Sequence, residues 1–188
     1  MRAVGRACLD EVGRLDVACY AAIAGTPTPR LDAWIAALSR AADNSRLSIA
    51  AAGGLAVLGG RRGRRAAALG LGSVAVTSAL VNLAIKPLAP RSRPDRVLHR
   101  VPAARHVPMP SSRSFPSGHS AAAFAFAGGV GRVLPVASLP LHALAGAVAY
   151  SRVHTGVHYP VDAVTGSLLG AALGQITSHS LDAVLPRA

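Results

Sequence analysis

AAALGLGSVAVTSALVNLAI, residues 66–85, runs for twenty residues without a charge. A helix crossing the roughly 30 Å hydrocarbon core of a bilayer needs about 20 apolar residues, so this run spans by length alone. Four shorter stretches are nearly as free of charge: residues 47–60, 120–134, 136–150 and 161–176. They approach spanning length by borrowing from their flanks, toward Asn44, Ser117 and Pro160. Small residues dominate all five, as expected where helices pack closely in a membrane. The expected fold is an all-α integral membrane bundle of about five transmembrane helices; an all-helical soluble core is the other reading of the same pattern.

Composition narrows the class. The 188 residues suit one domain. They are 51% apolar and 15% charged, yet 20 basic against 8 acidic residues leave a net charge of +12. A nucleic-acid-binding domain could carry that charge, but not at a mean hydropathy of +0.39 with 4% aromatics to stack on bases. A membrane protein satisfies both numbers, and no nucleic-acid partner is expected. Cys8 and Cys19 have no neighbours at metal-ligand spacing and read as small apolar residues. Lys86 is the only lysine in an arginine-rich chain.

Between the apolar runs the segments differ in kind. Arg61, Arg62, Arg64 and Arg65 read as a tight basic turn of cytoplasmic type. Residues 86–115 hold six prolines and no apolar periodicity, and form a long loop. Residues 1–43 read as two amphipathic helices at the membrane interface, roughly 8–24 and 30–42, split by TPTP at 26–29. No cleavable signal pattern follows Met1 and Arg2. The expected organisation is an interfacial segment at 1–43, a catalytic bundle at 44–178 and a short tail at 179–188.

Three polar clusters stand at the ends of the runs. In KPLAPRSRP, residues 86–94, Lys86 offers a compact charge at a helix C-terminus and Arg93 a planar fork for two phosphate oxygens; a lipid-headgroup contact is the alternative. In FPSGH, residues 115–119, the Ser117 and Gly118 amides open a helix whose dipole favours an anion, with His119 in the first turn. The alternative there is a plain helix start. In SRVHTGVHYPVD, residues 151–162, a helix beginning at Pro160 lets Asp162 reach back to His158 and fix its tautomer. A structural cap is the alternative. With helices alternating in direction, all three clusters fall on one membrane face.

Together they resemble the signature of the type 2 phosphatidic acid phosphatase (PAP2) superfamily: Lys, six residues, Arg-Pro; then Pro-Ser-Gly-His; then Ser-Arg, five residues, His, three residues, Asp. That superfamily includes bacterial polyprenyl-pyrophosphate phosphatases, glucose-6-phosphatase and vanadium haloperoxidases. Every fixed position matches in order, and the resemblance covers about residues 44–178. It implies that His158 attacks phosphorus to form a phosphohistidine. Asp162 would orient His158, and His119 would protonate the leaving group and then activate water. Lys86, Arg93, Arg152, Ser117 and the Gly118 amide would hold the phosphate oxygens. No metal or cofactor is implied. Ser151 completes the motif without an evident chemical role. His154 is a rival nucleophile less well spaced from Asp162, and His99 and His106 read as solvated loop residues.

The implied activity is a membrane phosphatase in the bacterial cell membrane acting on a lipid phosphate: phosphatidic acid, phosphatidylglycerol phosphate, a polyprenyl pyrophosphate or a polyprenyl-phosphate sugar phosphate. A haloperoxidase relative and a non-catalytic anionic-lipid binder are the alternatives. The Arg61–Arg65 cluster places the site on the extracytoplasmic side, although the arginines of the long loop count the other way. Oligomeric state is left open.

Overall fold

Residues 66–85 lie inside a 29-residue helix, α4 (Gly60–Leu88), the one helix among the described residues long and apolar enough to cross a membrane. In the computed structural model residues 2–184 are described, with side-chain surroundings from residue 10 onward, and every element among them is helical. Residues 185–188 of the expected tail and the Cys8 side chain lie outside the described residues. Before α4 come α1 (Arg2–Gly25), α2 (Pro29–Ala41) and α3 (Arg46–Leu58); after it come α5 (Gly118–Gly131), α6 (Pro135–His154) and α7 (Pro160–Val184). The five apolar runs are α3 to α7. At about 1.5 Å per residue, however, the 13 residues of α3 and 14 of α5 fall short of a bilayer core.

The turn between α3 and α4 is tighter than the sequence suggests. Gly60 takes a φ of 58°, and a Cβ on Gly59 would lie 2.7 Å from the Leu55 carbonyl oxygen. Two glycines therefore reverse the chain, and Arg61 to Arg65 become the first turns of α4 instead of a turn of their own. Positive charge at a helix N-terminus is unfavourable. Asp182, near the end of α7, offsets it by pairing with Arg65 at 2.8 Å and Arg132 at 3.2 Å. At the other end, residues Leu80–Ile85 widen into a π-type turn. Pro87 explains it: the ring has no N–H and crowds the carbonyl four residues back, so the preceding turn expands.

α5 is the central helix, packed against α4, α6 and α7. Its small face, Ser117, Ala121 and Ala125, meets Gly166, Gly170 and Gly174 of α7, each set spaced by four. A Cβ on Gly170 would stand 2.1 Å from the Ala121 carbonyl oxygen, and one on Gly166 2.4 Å from that of Ser117. This backbone contact sets the N-terminal ends of α5 and α7 side by side.

Two N-terminal helices precede the bundle, as expected, separated at residues 26–28. α1 starts at Arg2, not near residue 8, and both helices dock on the bundle, α1 on α6 and α7 and α2 on α6. Their buried stripes carry acids: Asp16, Tyr20 and Ala24 on α1, and Asp32, Ala36 and Ser39 on α2. Leu31 and Trp34, 77% exposed, occupy the outer face of α2.

Replacing Gly170 with Val should drive a side chain into the Ala121 backbone and cost about 3 kcal/mol. Gly53→Ala on α3, where a Cβ meets nothing within 4 Å, should leave stability unchanged or higher. Thermal unfolding of the two variants in detergent measures the contrast.

Candidate active site

The α5–α7 contact continues into a hydrogen bond, from the Ser117 amide to the Asp162 carbonyl oxygen at 2.9 Å. Ser117 is the N-cap of α5, its Oγ accepting from the Ser120 amide at 3.4 Å and the Ser120 hydroxyl at 3.0 Å. Around this junction lie the end of α4 with Lys86, the end of α6 with Arg152, and the 155–159 turn with His158. The loop between α4 and α5 folds back over them.

Asp162 is fully buried, and its carboxylate gathers the local structure. The Ser114 hydroxyl donates to Oδ2 at 2.5 Å, the Tyr159 amide donates to Oδ2 at 3.0 Å, and Arg91 Nη1 donates to Oδ1 at 2.7 Å. His158 Nδ1 stands 3.6 Å from Oδ2 and 3.4 Å from Ser114 Oγ. Arg91 reaches with its other arm to Asp16 of α1, which also accepts the Val161 amide at 2.8 Å. The Arg91 guanidinium lies over the Tyr159 ring, 4.5 Å from its centroid. Burial alone would lower the Arg91 pKa, but Asp16 and Asp162 hold it above its ordinary value. His158 is 1% exposed, and burial pushes its pKa down to about 4; the neighbouring Asp162 carboxylate opposes this, and Arg93 adds to it. The ring is therefore neutral at physiological pH.

Opposite this pair is a cationic pole. Arg93 Nη1 lies 3.2 Å from His158 Nε2 and donates to the Val157 carbonyl at 2.7 Å. Burial holds the Arg93 pKa below its ordinary value, with Asp162 opposing and Arg96 reinforcing that shift. Lys86 Nζ and Arg93 Nη2 both donate to Ser112 Oγ, at 3.3 and 3.2 Å, so two cations converge on one oxygen. Arg152, 1% exposed, donates to the Ser39 hydroxyl at 2.7 Å, and its Nε is buried without a partner among the described residues. Asp43 Oδ1 lies 2.9 Å from His119 Nε2 and 3.5 Å from Arg152 Nη1. Lys86, Ser112, Gly118 and His119 border a cavity of about 310 Å³, whose other walls come from α3, α4, α5 and α6.

All eight expected site residues thus lie around this junction. Ser117 is the one whose side chain is turned inward, into the helix cap. His154 belongs to a different cluster: its Nε2 lies 3.1 Å from Asp32, which also accepts from Arg105 Nε at 2.9 Å. Ser151 bonds back to the Val148 carbonyl at 2.7 Å. His99 packs edge-on against Tyr20, half-buried and not in solvent, while His106 is exposed as expected. Sequence reasoning missed Asp16, Asp43, Arg91, Ser112 and Ser114. The available signal was scarcity, since Asp16 and Asp43 are two of only eight acidic residues.

A family profile described as "PAP2 superfamily" matches residues 67–185. The chain belongs to the PAP2 superfamily. It is 40% identical over 117 residues to a protein of Mycobacterium tuberculosis named decaprenylphosphoryl-5-phosphoribose phosphatase, over 60% of each chain. A Mycolicibacterium smegmatis protein of the same name is 36% identical over 156 residues, 80% of this chain and 78% of that one. The chain spans about 60% of the length of the M. tuberculosis relative. Two solved structures share the fold. Aquifex aeolicus LpxE superposes with a TM-score of 0.71 at 23% identity, over 87% of this chain and 94% of that one. The transmembrane PAP2 type phosphatidylglycerolphosphate phosphatase of Bacillus subtilis gives 0.69 at 24%, over 94% and 89%.

The Asp32 cluster fixes how the N-terminal helices sit on this site. Arg105 is fully buried and also donates to the carbonyls of Ile23, Ala24 and Thr26. Asp32→Ala would leave that guanidinium without its counter-charge and should cost about 3–5 kcal/mol. Denaturant unfolding in micelles would show the loss, and Arg40→Ala on the exposed side of α2 should leave the midpoint unchanged.

Proposed function

We propose that the protein is an integral membrane phosphatase that hydrolyses a lipid phosphate through a phosphohistidine on His158. The observation that carries this reading is the convergence of Lys86 and Arg93 on one oxygen beside the Nε2 of a neutral, carboxylate-backed histidine. A phosphate oxygen taking the place of Ser112 Oγ would find both donors in position.

The chemistry follows from the groups present. His158 Nδ1–H is directed to Asp162, which leaves the Nε2 lone pair for phosphorus. Attack forms the N–P bond as the bond to the lipid oxygen breaks, and His119 delivers a proton to that oxygen. His119 then takes a proton from water, water attacks phosphorus, and the N–P bond breaks to release inorganic phosphate. Lys86, Arg93, Arg152 and the Gly118 amide neutralise the equatorial oxygens, and Ser117 contributes by fixing the helix start that aims that amide. Arg93, which covers Nε2 in the free protein, moves onto the phosphate. Asp43 orients His119 as Asp162 orients His158.

The bilayer reading rests on α4 and on large apolar side chains left outward on several helices, such as Leu83 at 78%, Leu139 at 73% and Leu168 at 67% exposure. The short α5 is packed on its sides by α4, α6 and α7, so the bundle and not α5 alone spans the bilayer. Five embedded helices, with α1 and α2 at the site end, accommodate these lengths. The names of the mycobacterial relatives favour a polyprenyl-phosphoryl sugar phosphate over phosphatidic acid or phosphatidylglycerol phosphate. The site end faces the extracytoplasmic side, opposite the arginines at the start of α4. With Cys8 and Cys19 replaced by Ser, Val97→Cys, at a position 86% exposed on the site side, should then react with an impermeant thiol reagent in intact cells. Protection until the cells are opened would reverse the orientation.

Purified protein should release phosphate from such a lipid with EDTA present, and His158→Ala should lower kcat at least ~10³-fold while substrate binding persists. Undiminished turnover by His158→Ala would contradict the nucleophile assignment, and no phosphate release by the unaltered protein would leave only a lipid-binding role. The His158 shift also fixes a pH dependence. Because the folded pKa is lowered, the nucleophile stays neutral down to about pH 4, so the acid limb of kcat/KM should fall there and not near 6.5.

A further inference from the structure

The cavity that borders Lys86, Gly118 and His119 has two unlike sides. One is apolar: Phe126 of α5 with Leu141, Leu144 and Val148 of α6. The other presents uncharged hydrogen-bonding side chains, Asn44 and Ser45 from the turn before α3, Ser48 from α3, and Ser78 and Asn82 from α4. α3 and α6 both line it without forming a packed helix pair, which leaves a route between them for a chain. At about 310 Å³ it has room for a small headgroup and not for a long chain.

Asn82 gives this polar side its chemical sense. It stands in the π-type turn that Pro87 imposes on α4, and a carboxamide in a spanning helix is costly unless it has a partner. Its amide nitrogen has one, the Ser78 carbonyl at 2.8 Å. Its Oδ1 accepts no hydrogen bond among the described residues. A Cβ on Gly118 would meet Lys86 Nζ at 3.6 Å and this Oδ1 at 3.7 Å, so the free acceptor stands beside the cationic pole, in front of the α5 N-terminus. Only a donor can satisfy it. The ester carbonyls of a diacylglycerol phosphate are acceptors and cannot; a hydroxyl can.

We propose that this polar wall, with Asn82 at its centre, is a subsite for a hydroxyl-bearing spacer between the terminal phosphate and the lipid tail. The favoured ligand is a sugar phosphate headgroup. The subsite deepens the phosphatase reading and rests on it. The terminal phosphate sits at Lys86 and Arg93, a spacer hydroxyl donates to Asn82 Oδ1, Ser48 and Ser78 serve neighbouring hydroxyls, and the tail leaves along Leu141 and Leu144 between α3 and α6. A glycerol spacer offers the same chemistry with fewer hydroxyls.

The test uses the His158→Ala protein in micelles, so that nothing is turned over, and measures by calorimetry the affinities of ribose 5-phosphate, glycerol 3-phosphate and inorganic phosphate. Ribose 5-phosphate should bind roughly tenfold or more tightly than inorganic phosphate, with glycerol 3-phosphate between them. Asn82→Leu should reduce the ratio to about one while changing the inorganic phosphate affinity by less than about twofold. Ser48→Ala should reduce the ratio in part, and serves if Asn82→Leu does not fold. Equal affinities for the three ligands, or a sugar preference that survives both substitutions, would overturn the subsite and leave the phosphatase reading standing. Failure of all three to bind would remove the phosphate site itself, and this inference with it.

Discussion

A carboxylate buried among apolar helices is stable only if its charge and lone pairs are met, and Asp162 is met by three hydrogen bonds with the neutral His158 ring beside it. Ser114 and Arg91 come from the loop between α4 and α5, the Tyr159 amide from the turn before α7, and His158 from the same turn. Each requirement pulls a separate part of the chain to one point. The loop cannot wander, because two of its side chains are committed to Asp162. α1 is drawn in as well, because Arg91 needs Asp16 as its second counter-charge. A histidine held in this setting stays neutral with a fixed tautomer, which is the state a nitrogen nucleophile needs.

The same requirement explains how the N-terminal 43 residues relate to the rest. They lie before the matched family region, yet they supply Asp16 to Arg91, Asp43 to His119 and Ser39 to Arg152. Asp32 and Arg105 fasten these helices to the long loop through a buried ion pair with backbone carbonyls around it. The first helices are therefore an outer wall of the candidate site.

The fold and the clustering of the candidate site residues were legible because each rests on a local rule. Uncharged runs gave α3 to α7, Ser117 and Gly118 marked a helix start, and the spacing of His158 and Asp162 follows from a helix beginning at Pro160. What stayed hidden depends on long-range placement. Asp16 and Asp43 look like ordinary polar positions of amphipathic helices, and only the packing of α1 and α2 turns them inward. The Arg61–Arg65 cluster has the charge of a turn, but the Gly59–Gly60 pair makes the reversal shorter and leaves these arginines on α4. The π-type turn at Leu80–Ile85 was not expected either, although Pro87 was in plain view, because one proline can end, kink or widen a helix.

The central claim is that phosphoryl transfer passes through His158 in two displacements. Stereochemistry at phosphorus tests this most directly, using a lipid substrate whose phosphate is made chiral with oxygen isotopes and whose product is captured on an acceptor alcohol. Two in-line displacements each invert the centre, so the account predicts net retention of configuration. Net inversion would mean a single direct displacement and would contradict the covalent role of His158.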